Sequence, residues 1–213
     1  MEIKLVNVGK KFQDNVVLDN VNLTFENSKI YGLSGRNGSG KSVLLKLITG
    51  LYLPTTGEIT WNNKNLNMNK SFPENMGALI EKPNFFTNLT GYENLKLLAK
   101  IQNKISEDDI IKALEIVDLI PEKDKIYAKY SLGMKQKLGI SQAIMENPEF
   151  LILDEPFNGI EENSVKKIKK YLLNLKKEGK TIILSSHIKE DLEELCDEII
   201  LFEVPYVKVE FKK

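Results

Sequence analysis

The sequence predicts an α/β fold: a mostly parallel sheet with helices, an antiparallel β subdomain at the N-terminus and a helical subdomain inserted in the chain. Three observations predict it. Gly35-Arg36-Asn37-Gly38-Ser39-Gly40-Lys41-Ser42 stands between the apolar run Lys29 to Ser34 and the apolar segment Val43 to Ile48, the strand, turn and helix context of a phosphate-binding loop. Phe150-Leu151-Ile152-Leu153 is a continuous apolar run followed by Asp154-Glu155-Pro156, as suits a central parallel strand buried on both faces. From about residue 84 to 147 helical periodicity runs without a strand pattern.

Taken in order, Glu2 to Val8 alternates loosely and Val21 to Phe25 cleanly, so both read as half-buried strands of an antiparallel sheet. Between them, Lys10 to Leu18 reads as a polar turn carrying one aromatic, Phe12, which either packs in the core or stacks on a nucleobase. After the glycine-rich loop, Val43 to Thr49 continues as a helix that Gly50 can terminate and Pro54 keeps from resuming. Gly57 to Trp61 returns as a strand, with Trp61 read as packing, and Asn62 to Lys70 is polar and loop-like. Met76 to Ile80 is a short strand ending on Glu81, with the breaker Lys82-Pro83-Asn84 behind it. Thr90-Gly91-Tyr92-Glu93 is a capping-box pattern opening a helix through about Gln102, and Ser106 opens another through about Val117. Ser131 begins a third, to about Glu146. Asn163 to Glu178 is a Lys-rich helix with Ile168, Leu172 and Leu175 on its apolar side and its lysines on a solvated face; Thr181 to Ser185 is a buried strand ending at Ser186-His187. Ile188 to Cys196 is a helix, and Glu198 to Phe202 and Tyr206 to Phe211 close the chain as strands. The expected organisation is one domain over 1–213, with 1–83 and 148–213 forming the catalytic core and 84–147 the helical subdomain.

Composition narrows the function. Lys plus Arg and Asp plus Glu are both 30 among 213 residues, so no overall field recruits nucleic acid or an anionic membrane. The single Cys196 excludes an intramolecular disulfide and fits a reducing compartment, and with one histidine a Cys/His zinc cluster cannot be built. The N-terminus lacks an apolar secretory core, and no apolar stretch approaches the roughly 18 to 20 residues a spanning helix needs. A membrane role is therefore expected to run through a partner.

The chemistry converges on one end of the sheet. Glycines let the backbone close around phosphate oxygens, while backbone donors and a helix N-terminus face the anion. Lys41 would reach the β and γ phosphates, and the Ser42 hydroxyl would take one position on Mg²⁺. Asp154, at the carboxyl end of a buried strand, can face that metal. Glu155, one residue further, is placed to polarise a water attacking the γ-phosphate. His187 ends a neighbouring strand, where its imidazole can hydrogen bond to the phosphate or the attacking water.

With these residues on a P-loop NTPase core, the chain resembles the ATPase subunit of ABC transporters over essentially its whole length. The resemblance rests on the phosphate loop, a signature region at Tyr130-Ser131-Leu132-Gly133-Met134, the acidic strand end Asp154-Glu155, the following loop Asn158-Gly159-Ile160-Glu161, and His187, in the family's order and spacing. It implies ATP and Mg²⁺ as ligands and a head-to-tail dimer that sandwiches two nucleotides, Ser131 and Gly133 of one copy meeting the γ-phosphate held by Lys41 of the other. It also implies nucleotide contacts from Phe12, Val17, Gly35, Asn37, Gly38, Ser39, Gly40 and Val43, with Phe12 against adenine, and a metal set of Ser42, Asp154 and Glu81. Against the usual Leu-Ser-Gly-Gly-Gln signature, Tyr130, Leu132 and Met134 differ; Glu81 replaces a glutamine and Glu161 an aspartate. The glutamate, with Ala78 to Glu81, Asn88 to Leu95 and Tyr130 to Gly139, is similar to the lantibiotic-immunity and bacitracin-resistance type exporter ATPases. That likeness implies a separate membrane permease, export of a peptide antibiotic or similar toxic compound, and a cytoplasmic position on the inner face of the membrane. A soluble ABC-type ATPase acting on nucleic acid or ribosomes is the alternative; no long coiled-coil insertion, second cassette or basic excess supports it. A small-molecule kinase lacks any acceptor pocket or lid pattern.

Overall fold

In a computed structural model, residues 2–65 and 72–203 are described in full and 206–211 as strand backbone; part of the predicted polar loop, 66–70, lies outside the described residues. Two sheets form the frame. A six-stranded sheet of order β10-β9-β3-β8-β7-β6 contains β3 (Ile30–Gly35), β6 (Met76–Leu79), β7 (Phe150–Leu153), β8 (Thr181–Ser185), β9 (Glu198–Glu203) and β10 (Tyr206–Phe211). All its pairings are parallel except β9 with β10. A four-stranded antiparallel sheet of order β2-β1-β4-β5 is built from β1 (Ile3–Phe12), β2 (Asn15–Phe25), β4 (Thr56–Trp61) and β5 (Lys64–Asn65). Helices α1 (Lys41–Ile48), α2 (Gly91–Gln102), α3 (Glu107–Ile116), α4 (Leu132–Ile144), α5 (Glu162–Lys177) and α6 (Lys189–Leu195) complete the described elements, with single 3-10 turns at Ile120–Glu122 and Tyr127–Lys129.

The strand period of two explains how the central strands serve both faces of the sheet. Phe150, Ile152 and Ile183 join the core shared with the antiparallel sheet and α1; Leu151, Leu153, Ile182 and Leu184 join the core shared with the other helices. Both faces of β7 and β8 are therefore buried, which is why these segments read as unbroken apolar runs. Trp61 packs edge-on against Phe150, ring centroids 4.9 Å apart, and its indole N–H donates to the Ile48 carbonyl at 3.0 Å, in keeping with the packing expected of it. The capping boxes at Thr90/Glu93 and Ser106/Asp109 are both formed, and each opens a helix as predicted.

Three expectations are corrected. Lys10 to Leu18 is no broad turn: β1 runs to Phe12 and β2 begins at Asn15, joined by a two-residue turn with Gln13 at φ 52°. Cross-strand pairing carries these polar residues, Lys11 opposite Val16 and Phe12 opposite Asn15. The loose alternation before them also has a cause. Asn7 adopts φ 51° at a register shift between Leu5 and Val8, so the inward face skips one residue and Val8 is fully buried. Second, Lys64–Asn65 is a strand, not loop; Asn62 and Asn63, at φ 48° and 64°, supply the tight turn from Trp61. Third, the lysines of α5 are not uniformly solvated. Lys169 is 9% exposed, its ammonium 2.7 Å from Asp191 Oδ1 and 2.5 Å from Glu194 Oε2 on α6, and Lys167 and Lys176 pair with Asp118 and Asp197. Burial alone would lower the Lys169 pKa, but its two carboxylate partners outweigh that and hold it above the ordinary value. The long aliphatic stems reach across the helix seam to polar partners.

Candidate nucleotide and metal site

The parallel register brings the candidate residues to one sheet edge. Leu153 pairs with Leu184 and Leu33 with Ser185, so β3, β7 and β8 end side by side, with the glycine-rich loop, Asp154-Glu155 and Ser186-His187 emerging together. A cleft of about 700 Å³ opens there. Its walls include Phe12, Val17, Asn37, Gly38, Ser39, Gly40, Lys41, Ser42, Val43, Glu81, Asp154 and Glu155, all of them predicted site residues. Leu132, Gln136, Asn158 and Lys82 also line it.

The loop enters α1 through Gly40, whose φ of 97° favours glycine, and no side chain caps this helix. Gly35 contributes through its backbone: its carbonyl accepts from Lys41 Nζ at 2.6 Å, and the Arg36 carbonyl accepts from the same atom at 3.1 Å. Lys41 is 6% exposed, and the buried Ser39 hydroxyl has no partner among the described residues. This concave set of a buried cation, an unpartnered hydroxyl and an uncapped helix N-terminus suits a polyphosphate.

The acidic pair is held by a serine. Ser185 Oγ donates to Asp154 Oδ1 at 2.5 Å and accepts from the Glu155 amide at 2.8 Å. Glu155 takes a left-handed backbone, φ 48°; Gln136 Nε2 donates to its carbonyl at 3.0 Å, and its Oε2 lies 2.8 Å from His187 Nδ1. Its Oε1 is buried with no partner among the described residues. A carboxylate oxygen so placed can accept a hydrogen bond from a water entering the cleft. Ser42 and Asp154 supply oxygen donors of the kind Mg²⁺ prefers in one cleft and fit the metal; Glu81 lines the same cleft, but its carboxylate is engaged by Lys46.

Four predicted residues stand apart from the cleft walls. His187 does not face the cleft directly; it is half exposed and joined to Glu155. Gly35 acts through its carbonyl. Ser131 accepts a hydrogen bond from the Met134 amide and caps α4, and Gly133 packs on Gly159. Glu81 lies in the cleft at φ 64°, but its carboxylate pairs with Lys46, whose pKa this hydrogen bond raises. Phe12 is not a core residue: it is 40% exposed, edge-on to Tyr52 at 5.5 Å, with Lys10 Nζ 5.0 Å from its ring centroid. Sequence reasoning missed Ser185 and Gln136. Ser185 directly ends a buried strand and was within reach of the rule that strand ends meet at the ligand; Gln136 carries no local signal.

Comparison with known proteins gives the family. The ABC transporter family model matches residues 18–158. The chain is 43% identical over 199 residues to the bacitracin transport ATP-binding protein BcrA of Enterococcus faecalis, covering 92% of this chain and 65% of that protein. It is 35% identical over 200 residues to the lantibiotic transport ATP-binding protein SrtF of Streptococcus pyogenes, covering 92% of this chain and 84% of the other. Among solved structures, an ATP-binding subunit of an ABC transporter matches with TM-score 0.88 and 27% identity over 99% of this chain and 90% of that one. A dimeric bacterial ABC transporter cassette, at 24% identity, shares the fold, with TM-score 0.90 over 99% of both chains. A phosphate loop facing a serine-held acidic pair, on a fold and sequence shared with these proteins, identifies the chain as a member of the ABC transporter family and its ATP-hydrolysing cassette.

Proposed function

We propose that this ATP hydrolase powers a separate membrane permease and that the cargo is a peptide antibiotic of the bacitracin or lantibiotic kind. The observation that carries the catalytic half is Glu155 Oε1, a buried carboxylate oxygen without a partner among the described residues, in one cleft with the phosphate loop. Asn37 to Ser42 would hold the phosphates of ATP, with Lys41 as the mobile charge and Phe12 against the adenine. Ser42 and Asp154 would hold Mg²⁺, which when bound neutralises charge on the phosphate oxygens. Glu81 joins that set only by leaving Lys46. Glu155 would orient and accept a proton from the attacking water, with His187 fixing the carboxylate through Oε2. Ser131 and the Gly133 amide would complete the site of a second copy, since neither lines the cleft of its own chain.

The transport half rests on the names of the relatives. Among the described residues no helix is long and apolar enough to cross a membrane. Isolation of the tagged chain from membranes tests this. Co-purification of an integral membrane protein, with ATP hydrolysis stimulated by bacitracin or a lantibiotic, is expected. Stimulation by nucleic acid without any such partner would overturn it.

A further inference from the structure

Glu155 sits in a backbone conformation that a non-glycine residue occupies at a steric cost, so its peptide has to be held from outside. Two buried side chains hold it. Ser185 takes the amide N–H, and Gln136, 7% exposed, donates to the carbonyl. Ser185 belongs to the same strand edge as the acidic pair. Gln136 comes from elsewhere: it lies in the second turn of α4, the helix that Ser131 caps.

The same helix grips the far end of the loop that follows Glu155. Lys137, also buried, pairs with Glu161, and Gly133 approaches so closely that a Cβ there would stand 2.2 Å from the Gly159 carbonyl oxygen. Residues 155 to 161 are thus held by α4 at both ends, and Gln136 makes the contact at the catalytic end. The Glu155 carbonyl also accepts from the Asn158 amide at 3.4 Å within its own turn; Gln136, at 3.0 Å, is the donor that comes from α4, a role an amide can fill and a carboxylate or thioether cannot.

We infer that Gln136 is a positioning residue: its hydrogen bond to the Glu155 carbonyl sets the aim of the Glu155 carboxylate and ties it to the helix that carries Ser131. This rests on the reading of Glu155 as the group that acts on the attacking water. A small displacement of α4 would then be felt at Glu155 as a rotation of its peptide. Misplacing a reacting group by about 1 Å can cost on the order of 10²-fold in rate.

The test pairs Gln136→Met, close in volume but without a donor, with Glu155→Gln. Gln136→Met should lower kcat by about ten- to a hundredfold, with ATP affinity and melting temperature near those of the parent. In the Glu155→Gln background it should slow turnover further by less than about twofold, because the group it aims is already gone. A parental rate in Gln136→Met, or the same fold-loss in both backgrounds, would overturn the inference while leaving Glu155 in its role. A parental rate in Glu155→Gln alone would instead remove the reading on which the inference rests. Failure of both Gln136→Met and Gln136→Asn to fold would assign the residue to core packing and overturn it as well.

Discussion

The N-termini of α1 and α4 solve the same problem in opposite ways. The first is entered through a loop of glycine and serine and the second through Tyr130 and Ser131 after a 3-10 turn, and each carries the orphan amides and positive dipole end of a helix start. At α1 no side chain caps the helix, Ser39 Oγ lacks a partner, Lys41 is buried, and the whole set faces the chain's own cleft. At α4 Ser131 caps the helix itself and lies exposed, while Leu132, 62% exposed, borders the same cleft. One terminus is finished inward and awaits an anion. The other is stable alone and presents a hydroxyl outward. The difference supports a division of labour in which one chain holds a nucleotide and a second chain closes over it.

That comparison can be broken at either end. The largest effect is expected from Ser131→Arg, which should reduce hydrolysis to below about a hundredth of the parental rate, since in the proposed sandwich the outward surface would meet the partner's γ-phosphate. Nucleotide binding to the monomer, followed by fluorescence of an ATP analogue, should persist; its loss would place Ser131 in its own chain's site. At the inward end, Glu155→Gln should keep ATP bound but slow turnover by roughly 10² or more, as seen in single-turnover phosphate release. The smallest effect is expected from Gly133→Ala. Its methyl would press on the Gly159 carbonyl, costing about 1–3 kcal/mol of stability in urea unfolding. A neutral result would mean that α4 and the loop after Glu155 are not tightly coupled.

What could be read from the sequence follows from how local each signal is. The phosphate loop, the buried runs at Phe150 and Thr181, and the capping boxes at Thr90 and Ser106 are short patterns whose chemistry is contained within a few residues. Lys10 to Leu18 misled because its composition is that of a turn, while the pairing that makes it a hairpin belongs to two strands at once. Lys169 looked solvated because its partners Asp191 and Glu194 lie on another helix. Ser185 and Gln136 hold Glu155 from separate elements of the chain; the strand end at Ser185 was a usable signal, whereas nothing in the immediate sequence of Gln136 marks it. The lone phosphate loop leaves its own purpose open; the acidic pair and the outward Ser131 narrow it.

The claim that one chain carries half of each site is tested most directly by the mass of Glu155→Gln in solution, by analytical ultracentrifugation with and without Mg-ATP. The protein is predicted to be monomeric without nucleotide and dimeric with it, and addition of Ser131→Arg to the same chain should abolish the dimer while nucleotide still binds. A nucleotide-loaded Glu155→Gln that stays monomeric at micromolar concentration, or a double variant that dimerises as well as the single one, would contradict it.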